Sequence, residues 1–205
     1  MEISTFNLSK SSCWLCRCKR WEAGTPHAEV NALKAAYLKI YPNSVLKTKN
    51  NPNEIHEYLI ENHNNFFNNC EIYITLEPCN HVGKTPSCAN LLKELKPKKV
   101  IIAHEDTNEV ANGGLETLKN ANIECELGCM KKEAYDLLYP FLKWNSGTFI
   151  FYKMAQTLNG SIDGKISGNS AKAYVHALRD KTDLLLIGGN TVRIDKPTLD
   201  ARYIV

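Results

Sequence analysis

The stretch that most narrows what this chain can fold into runs from Glu71 to Cys88, a strand-like run that hands over to a loop carrying two thiols. Ile72, Ile74 and Leu76 alternate with less apolar residues, and this period of two predicts a strand with one better-buried face. Glu77-Pro78 ends it, and Cys79 and Cys88 follow with eight residues between them. In open α/β sheets, reactive sites lie at the carboxyl ends of strands, where this loop sits. Thr85-Pro86 reads as a helix N-cap with proline at the first helical position, so Cys88 falls in the first turn of a helix running to Leu95. A helix N-terminus eases thiol ionisation, and the thiolate is the form that binds zinc.

Upstream, Pro26-His27-Ala28-Glu29 supplies a third soft ligand and a carboxylate two residues later. Ala28, Val30, Leu33, Ala36, Tyr37 and Ile40 recur at helical spacing, which predicts a one-sided helix with His27 and Glu29 in its first turn. Both can point to a site beyond the helix N-terminus, where the macrodipole favours a metal-bound hydroxide. One His, two Cys and a carboxylate that need not touch the metal fit a catalytic zinc centre better than a structural one. Three protein ligands leave a fourth position for water. Zinc deaminases acting on nucleobases use such a set.

Composition narrows the class further. At 205 residues, 43% hydrophobic and 23% charged, the chain is an ordinary globular protein of one large domain or one and a half smaller ones. A net charge of +3 gives no broad nucleic-acid or membrane surface. No apolar run reaches the roughly 18 residues of a membrane span. The opening Met1 to Asn7 lacks the basic-then-apolar pattern of a secretory signal, so the expected location is cytoplasmic, and the eight cysteines are expected to be reduced thiols, some of them ligands.

The rest of the chain reads as alternating elements. Residues 1–22 show no clear period; Cys13, Cys16 and Cys18 lie among basic residues there, and the segment is expected to be irregular. The Asn-rich stretch 43–69 reads as an insertion beside the site, with a short helix over Glu54 to Ile60 and with His56 and His63 facing solvent. Lys98 to Ala103 predicts a second strand, Gly113 to Ala121 a helix, Asn122 to Leu127 a third strand, and Lys131 to Trp144 a helix that Pro140 should kink or end. Such alternation indicates a parallel or mixed sheet covered by helices. Cys70, Cys125 and Cys129 read as small buried thiols. Beyond Ser146-Gly147, strands are expected at Thr148 to Met154 and Asp183 to Ile187, with a helix from about Ser170 to Asp180 between them. Gly188-Gly189 after the second strand suits either a cofactor loop or a tight turn.

Four stretches carry a specific resemblance. His27-Ala-Glu29 and Thr75-Leu-Glu-Pro-Cys-Asn-His-Val-Gly-Lys-Thr-Pro-Ser-Cys88 resemble the bifunctional riboflavin-biosynthesis deaminase/reductase family. Lys153 to Gly160 and Thr191 to Arg202 are similar to that family's reductase half. The resemblance implies an α/β fold: a cytidine-deaminase-like three-layer α/β/α domain over 23–145, then an incomplete dihydrofolate-reductase-like α/β domain over 146–205. It implies two reactions, zinc-dependent hydrolytic deamination of 2,5-diamino-6-hydroxy-4-(5-phosphoribosylamino)pyrimidine and NADPH-dependent reduction of the ribosyl side chain. His27, Cys79 and Cys88 would hold Zn2+, Glu29 would shuttle the proton, and His81 and Lys84 would meet the phosphoribosylaminopyrimidine substrate. Ala155, Thr191 and Asp195 match the family's nicotinamide-cofactor contacts, and Arg179, Leu199 and Arg202 its substrate contacts. A homo-oligomer is compatible with that family. Two other readings fit the zinc residues: a nucleoside or tRNA deaminase, and a non-catalytic fragment that keeps zinc as a clip. The first usually spaces its cysteines two residues apart, not eight.

Overall fold

The computed structural model describes residues 24–202 in full, together with the backbone of two strands, β1 (Thr5–Ser9) and β2 (Ser12–Cys16). The described residues form two compact units that meet in sequence between Phe149 and Ile150.

The first unit is built on a five-stranded sheet of order β2-β1-β3-β4-β5, with β3 (Glu71–Leu76), β4 (Lys99–His104) and β5 (Glu124–Leu127). β3, β4 and β5 run parallel, joined through α3 (Cys88–Leu95) and α4 (Gly114–Asn120). β1 pairs antiparallel with both β3 and β2. The expectation of an irregular segment over 1–22 is therefore wrong for residues 5–9 and 12–16. The sequence there shows no sustained apolar alternation, and the two strands are held by pairing with each other and, through β1, with β3. Cys13 and Cys16 lie on β2, and the side chains there, like Cys18, lie outside the described residues.

Alternation along the strands divides the core between two faces of the sheet. Ile72, Ile74, Val100 and Ile102 join one cluster with Val30, Leu33, Ala36 and Tyr37 of α1 (Ala28–Ile40) and Leu91, Leu92 and Leu95 of α3. Ile101, one residue out of phase, is buried outside that cluster, as are Ala134 and Leu138 of α5 (Lys131–Ser146), which packs on β4. Helices on both faces make this a three-layer α/β unit. α5 runs through Pro140 without ending. The proline removes one hydrogen bond, and burial of Ala134 and Leu138 ahead of it holds the helix in place.

The stretch 43–69 is not an insertion lying beside the fold. It folds as two short 3-10 turns and α2 (Pro52–Asn62), capped by Asn51, whose side chain accepts from the Asn53 N–H at 2.9 Å. Leu46, Ile55, Leu59 and Phe67 are each at most 1% exposed and sit in the main core. High asparagine content masked this because the polar residues occupy caps and turns while a few apolar ones do the packing. His56 is buried rather than solvated, and His63 is half-buried, stacked on Phe67. Cys70, Cys125 and Cys129 are free and half-buried, not fully buried.

In the second unit the described residues carry α6 (Asn169–Asp180) and α7 (Gly189–Asp195) and no strand. The strands expected at Thr148 to Met154 and Asp183 to Ile187 have no ladder partners there. Ile150, Tyr152, Leu184 and Leu186 are accordingly 75% exposed or more. A strand pattern in sequence is a statement about a partner as well as about the segment, because the ladder's hydrogen bonds join neighbouring strands.

Candidate metal centre

Three elements converge on one point. His27 is the N-cap of α1 rather than a residue of its first turn, with an extended backbone at φ −65° and ψ 163°. Cys79 follows the end of β3, and Cys88 opens α3. The Nδ1 of His27 lies 3.5 Å from the Cys79 sulfur and 3.4 Å from the Cys88 sulfur, and all three ligand atoms are within 4.8 Å of one another. Tetrahedral zinc with Zn–S near 2.3 Å and Zn–N near 2.05 Å would separate N and S by about 3.6 Å. The donor set and its spacing therefore fit a zinc ion with little movement.

The residues around the cluster fix it from outside. Thr85 is not the helix N-cap; its hydroxyl stands 3.0 Å from the other ring nitrogen of His27, Nε2, which leaves Nδ1 to face the sulfurs. Ser87 takes the capping role, accepting from the Asn90 N–H at 3.1 Å and donating to the Cys79 carbonyl at 2.9 Å. One serine thus ties both ends of the loop. The N–H of Cys88 donates to the Cys79 sulfur at 3.4 Å.

Glu77 was legible only as the end of a strand, yet it anchors the far wall. It is buried, and its carboxylate accepts from the N–H groups of Asp106, Gly113 and Leu115 at 3.1, 3.1 and 2.9 Å. This pins the loop after β4 and the start of α4 to the residue that precedes the ligand loop. Asn80 adds to it, donating its N–H to the Ala111 carbonyl and accepting from the Thr117 hydroxyl at 2.8 Å. Gly114 is required there: a Cβ would come within 1.9 Å of the Pro78 carbonyl oxygen.

The electrostatics suit a metal-binding pair of thiols. The Cys79 thiol is pulled down to about 4 by its hydrogen bond from Cys88, helped by His27, against the cost of burial. Cys88 is pushed well above the ordinary thiol value, because it holds the proton of that bond and is buried beside Glu29. One proton is in effect shared between two sulfurs, an arrangement a cation would replace. Glu29 is 8% exposed, and burial is the main cause that raises its carboxyl above the usual value. It stands against Cys88 without belonging to the ligand trio.

Of the other residues singled out in the sequence, His81 and Lys84 lie exposed on the ligand loop. Ala155, Arg179, Thr191, Asp195, Leu199 and Arg202 belong to the second unit. Arg179 donates to the Asp200 carbonyl at 3.3 Å, and Arg202 to the Asp200 carboxylate at 2.8 Å, so these two arginines meet at one aspartate. Thr191 and Asp195 are exposed one turn apart on α7, and Leu199 is 41% exposed. Ala155 and Arg179 are half-buried within the second unit.

Comparison with known proteins follows the same division. Residues 7–104 match the cytidine and deoxycytidylate deaminase zinc-binding region, and residues 148–205 match the RibD C-terminal domain. The chain belongs to the RibD-like family of riboflavin-biosynthesis deaminase/reductases. It is 32% identical over 193 residues to the riboflavin biosynthesis protein RibD of Aquifex aeolicus, covering 89% of this chain and 46% of that protein. It is 38% identical over 138 residues to RibD of Corynebacterium ammoniagenes, covering 63% of this chain and 41% of the relative. The solved structure of Acinetobacter baumannii RibD, form 2, superposes with a TM-score of 0.62 at 30% identity, over 96% of this chain and 50% of that one. A diaminohydroxyphosphoribosylaminopyrimidine deaminase/5-amino-6-(5-phosphoribosylamino)uracil reductase from Thermotoga maritima gives a TM-score of 0.65 at 26% identity, over 98% and 52%. The chain thus spans about half the length of these RibD relatives, or less. The cytidine-deaminase-like fold and the reductase-like second part expected from the sequence agree with these relatives.

Proposed function

We propose that residues 23–145 act as a zinc-dependent pyrimidine deaminase of riboflavin biosynthesis, acting on 2,5-diamino-6-hydroxy-4-(5-phosphoribosylamino)pyrimidine. The observation that carries this reading is the convergence of the His27 ring nitrogen and two thiols within 4.8 Å, with buried Glu29 alongside. His27, Cys79 and Cys88 would hold the zinc, which supplies an activated water when bound.

The protein's own groups supply the rest of the chemistry. Glu29 sits at the N-terminus of α1 in a buried setting that raises its carboxyl, which suits a group that takes a proton from water and returns it to departing ammonia. Thr85 keeps the His27 ring in one orientation through Nε2. Glu77, Ser87 and Asn80 hold the ligand loop against α3 and α4, so the thiols are preset before metal arrives. His81 and Lys84, exposed on that loop, are placed to meet substrate from solvent, Lys84 as a cation for the phosphate.

For residues 146–205 we propose, on the family resemblance, a reductase-side role. Ala155, Thr191 and Asp195 would lie toward NADPH, and Arg179, Leu199 and Arg202 toward the sugar phosphate. An arginine fork suits phosphate oxygens.

The test is metal analysis of the full chain followed by ammonia release from the diaminopyrimidine phosphate, with cytidine and adenosine as controls. One zinc per chain and ammonia from the phosphoribosylated pyrimidine alone is the expected result. Ammonia from the nucleosides would support a nucleoside deaminase, and zinc without ammonia from any of them would support a structural clip.

A further inference from the structure

α1 starts on a residue that does not cap it with its side chain. His27 holds the N-cap position and makes no side-chain cap bond. Its ring is engaged elsewhere on both nitrogens, Nδ1 facing the two sulfurs at 3.5 and 3.4 Å and Nε2 lying 3.0 Å from the Thr85 hydroxyl. The favoured N-cap residues fix the entry to a helix by placing a side-chain oxygen on a first-turn N–H, and His27 does not supply that hold. Asn31, four residues on in α1, holds the entry from inside the helix. Its amide nitrogen donates to the Pro26 carbonyl at 3.0 Å, and its backbone N–H donates to the His27 carbonyl at 3.0 Å. Side chains on a helix lean toward its N-terminus, so a residue one turn in can reach the chain ahead of the cap.

The bond falls on the rotation that aims His27. The pyrrolidine ring fixes φ of Pro26 at about −65°, so the freedom left just ahead of His27 is ψ of Pro26, which swings the Pro26 carbonyl. Holding that carbonyl fixes the peptide plane from which His27 projects. On its other side the same turn lies against the ligand loop, where a Cβ on Gly24 would touch the Lys84 Cβ at 4.0 Å. Helix formation does not ask for asparagine at this half-buried position, since leucine or alanine would favour the helix more. A ligand that must sit within roughly 0.5 Å of its working place does ask for such a hold.

We propose that Asn31 is a positioning residue of the metal centre: by holding the Pro26 carbonyl it sets the direction in which His27 presents Nδ1 to zinc. The proposal rests on the zinc reading of the site. Thr85 holds the ring from the ligand-loop side, and Asn31 holds the backbone behind that ring. Outer contacts of metal ligands are worth about 10–100-fold in metal affinity, and a hold on the backbone rather than on the ring belongs at the lower end.

The test uses the full chain with Asn31→Leu, Asn31→Asp and Asn31→His. Leu keeps the size and removes the donor, Asp keeps the shape and turns an oxygen on the Pro26 carbonyl, and His offers a ring N–H at the δ position from which the amide now donates. Zinc affinity is read by competition with a chromophoric chelator, the thiolate-to-metal absorption band after cobalt substitution, and the thermal midpoint on the metal-free chain. Leu and Asp are expected to lose about 10-fold in zinc affinity and to shift the cobalt band, and His to restore both. A role confined to the helix would move only the metal-free midpoint. Wild-type affinity with an unchanged cobalt band in either Leu or Asp would therefore overturn the proposal while leaving the zinc centre intact, and so would an equal loss in all three variants. If Leu does not fold, Asp and His decide alone. A wild-type chain that takes up no zinc would overturn the zinc reading and this proposal with it.

Discussion

At the scale of single residues, the centre separates into groups that spacing reveals and groups that only the fold reveals. His27, Cys79 and Cys88 were readable because metal ligation demands particular atom types at characteristic intervals, and Glu29 because a carboxylate stands two positions after the histidine. Thr85 and Glu77 were not, since a hydroxyl or a carboxylate has no meaning until its partners arrive from elsewhere in the chain: His27 is 58 positions from Thr85, and Leu115 is 38 from Glu77. Two predictions belong here. Thr85→Val keeps the shape but frees the His27 ring to turn, and zinc affinity should drop by about 10–100-fold with little loss of stability. Glu77→Gln places an amide NH2 where the carboxylate now accepts from three N–H groups, so unfolding free energy should fall by about 1–3 kcal/mol in denaturant titration.

At the scale of elements, the helices and the strands β3, β4 and β5 followed their sequence periods because each has its own burial pattern. The hairpin and the stretch 43–69 did not. β1 and β2 pair within a cysteine-rich, basic stretch whose sequence carries no sustained apolar alternation, and asparagines hide the four core residues that α2 and its flanking turns contribute. Leu59→Ala tests whether α2 is structural: at 0% exposed, this side chain should cost about 2–5 kcal/mol when truncated, whereas a surface insertion would lose almost nothing. Gly114→Ala tests the joint between α4 and the ligand loop. With a Cβ at 1.9 Å from the Pro78 oxygen, the loop must shift, and metal affinity should fall together with stability.

At the scale of the whole molecule, the two units differ in how well their strand-like segments are supported. β3 and β4 are paired on both edges, while 148–154 and 183–187 have no ladder among the described residues. Hydrogen exchange should therefore protect Ile72, Ile74, Val100 and Ile102 strongly and leave Ile150, Tyr152, Leu184 and Leu186 fast. Stability should also depend on pH through His56. Burial holds its folded value at about 4, below an unfolded value near 6.5, so the unfolded chain binds more protons between these limits. That contribution is complete above pH 6.5 and lost as pH falls through about 4. In the metal-free chain, His56→Leu should flatten this part of the profile. The central claim joins both halves of the deaminase site, a zinc held by His27, Cys79 and Cys88 and a proton carrier at Glu29. It is tested most directly by ammonia release from the diaminopyrimidine phosphate, comparing wild type with Glu29→Gln at equal zinc content. The account predicts steady release by the wild type and a loss of at least about 100-fold in the variant. Equal release by both proteins, or none from the zinc-loaded wild type, would contradict it.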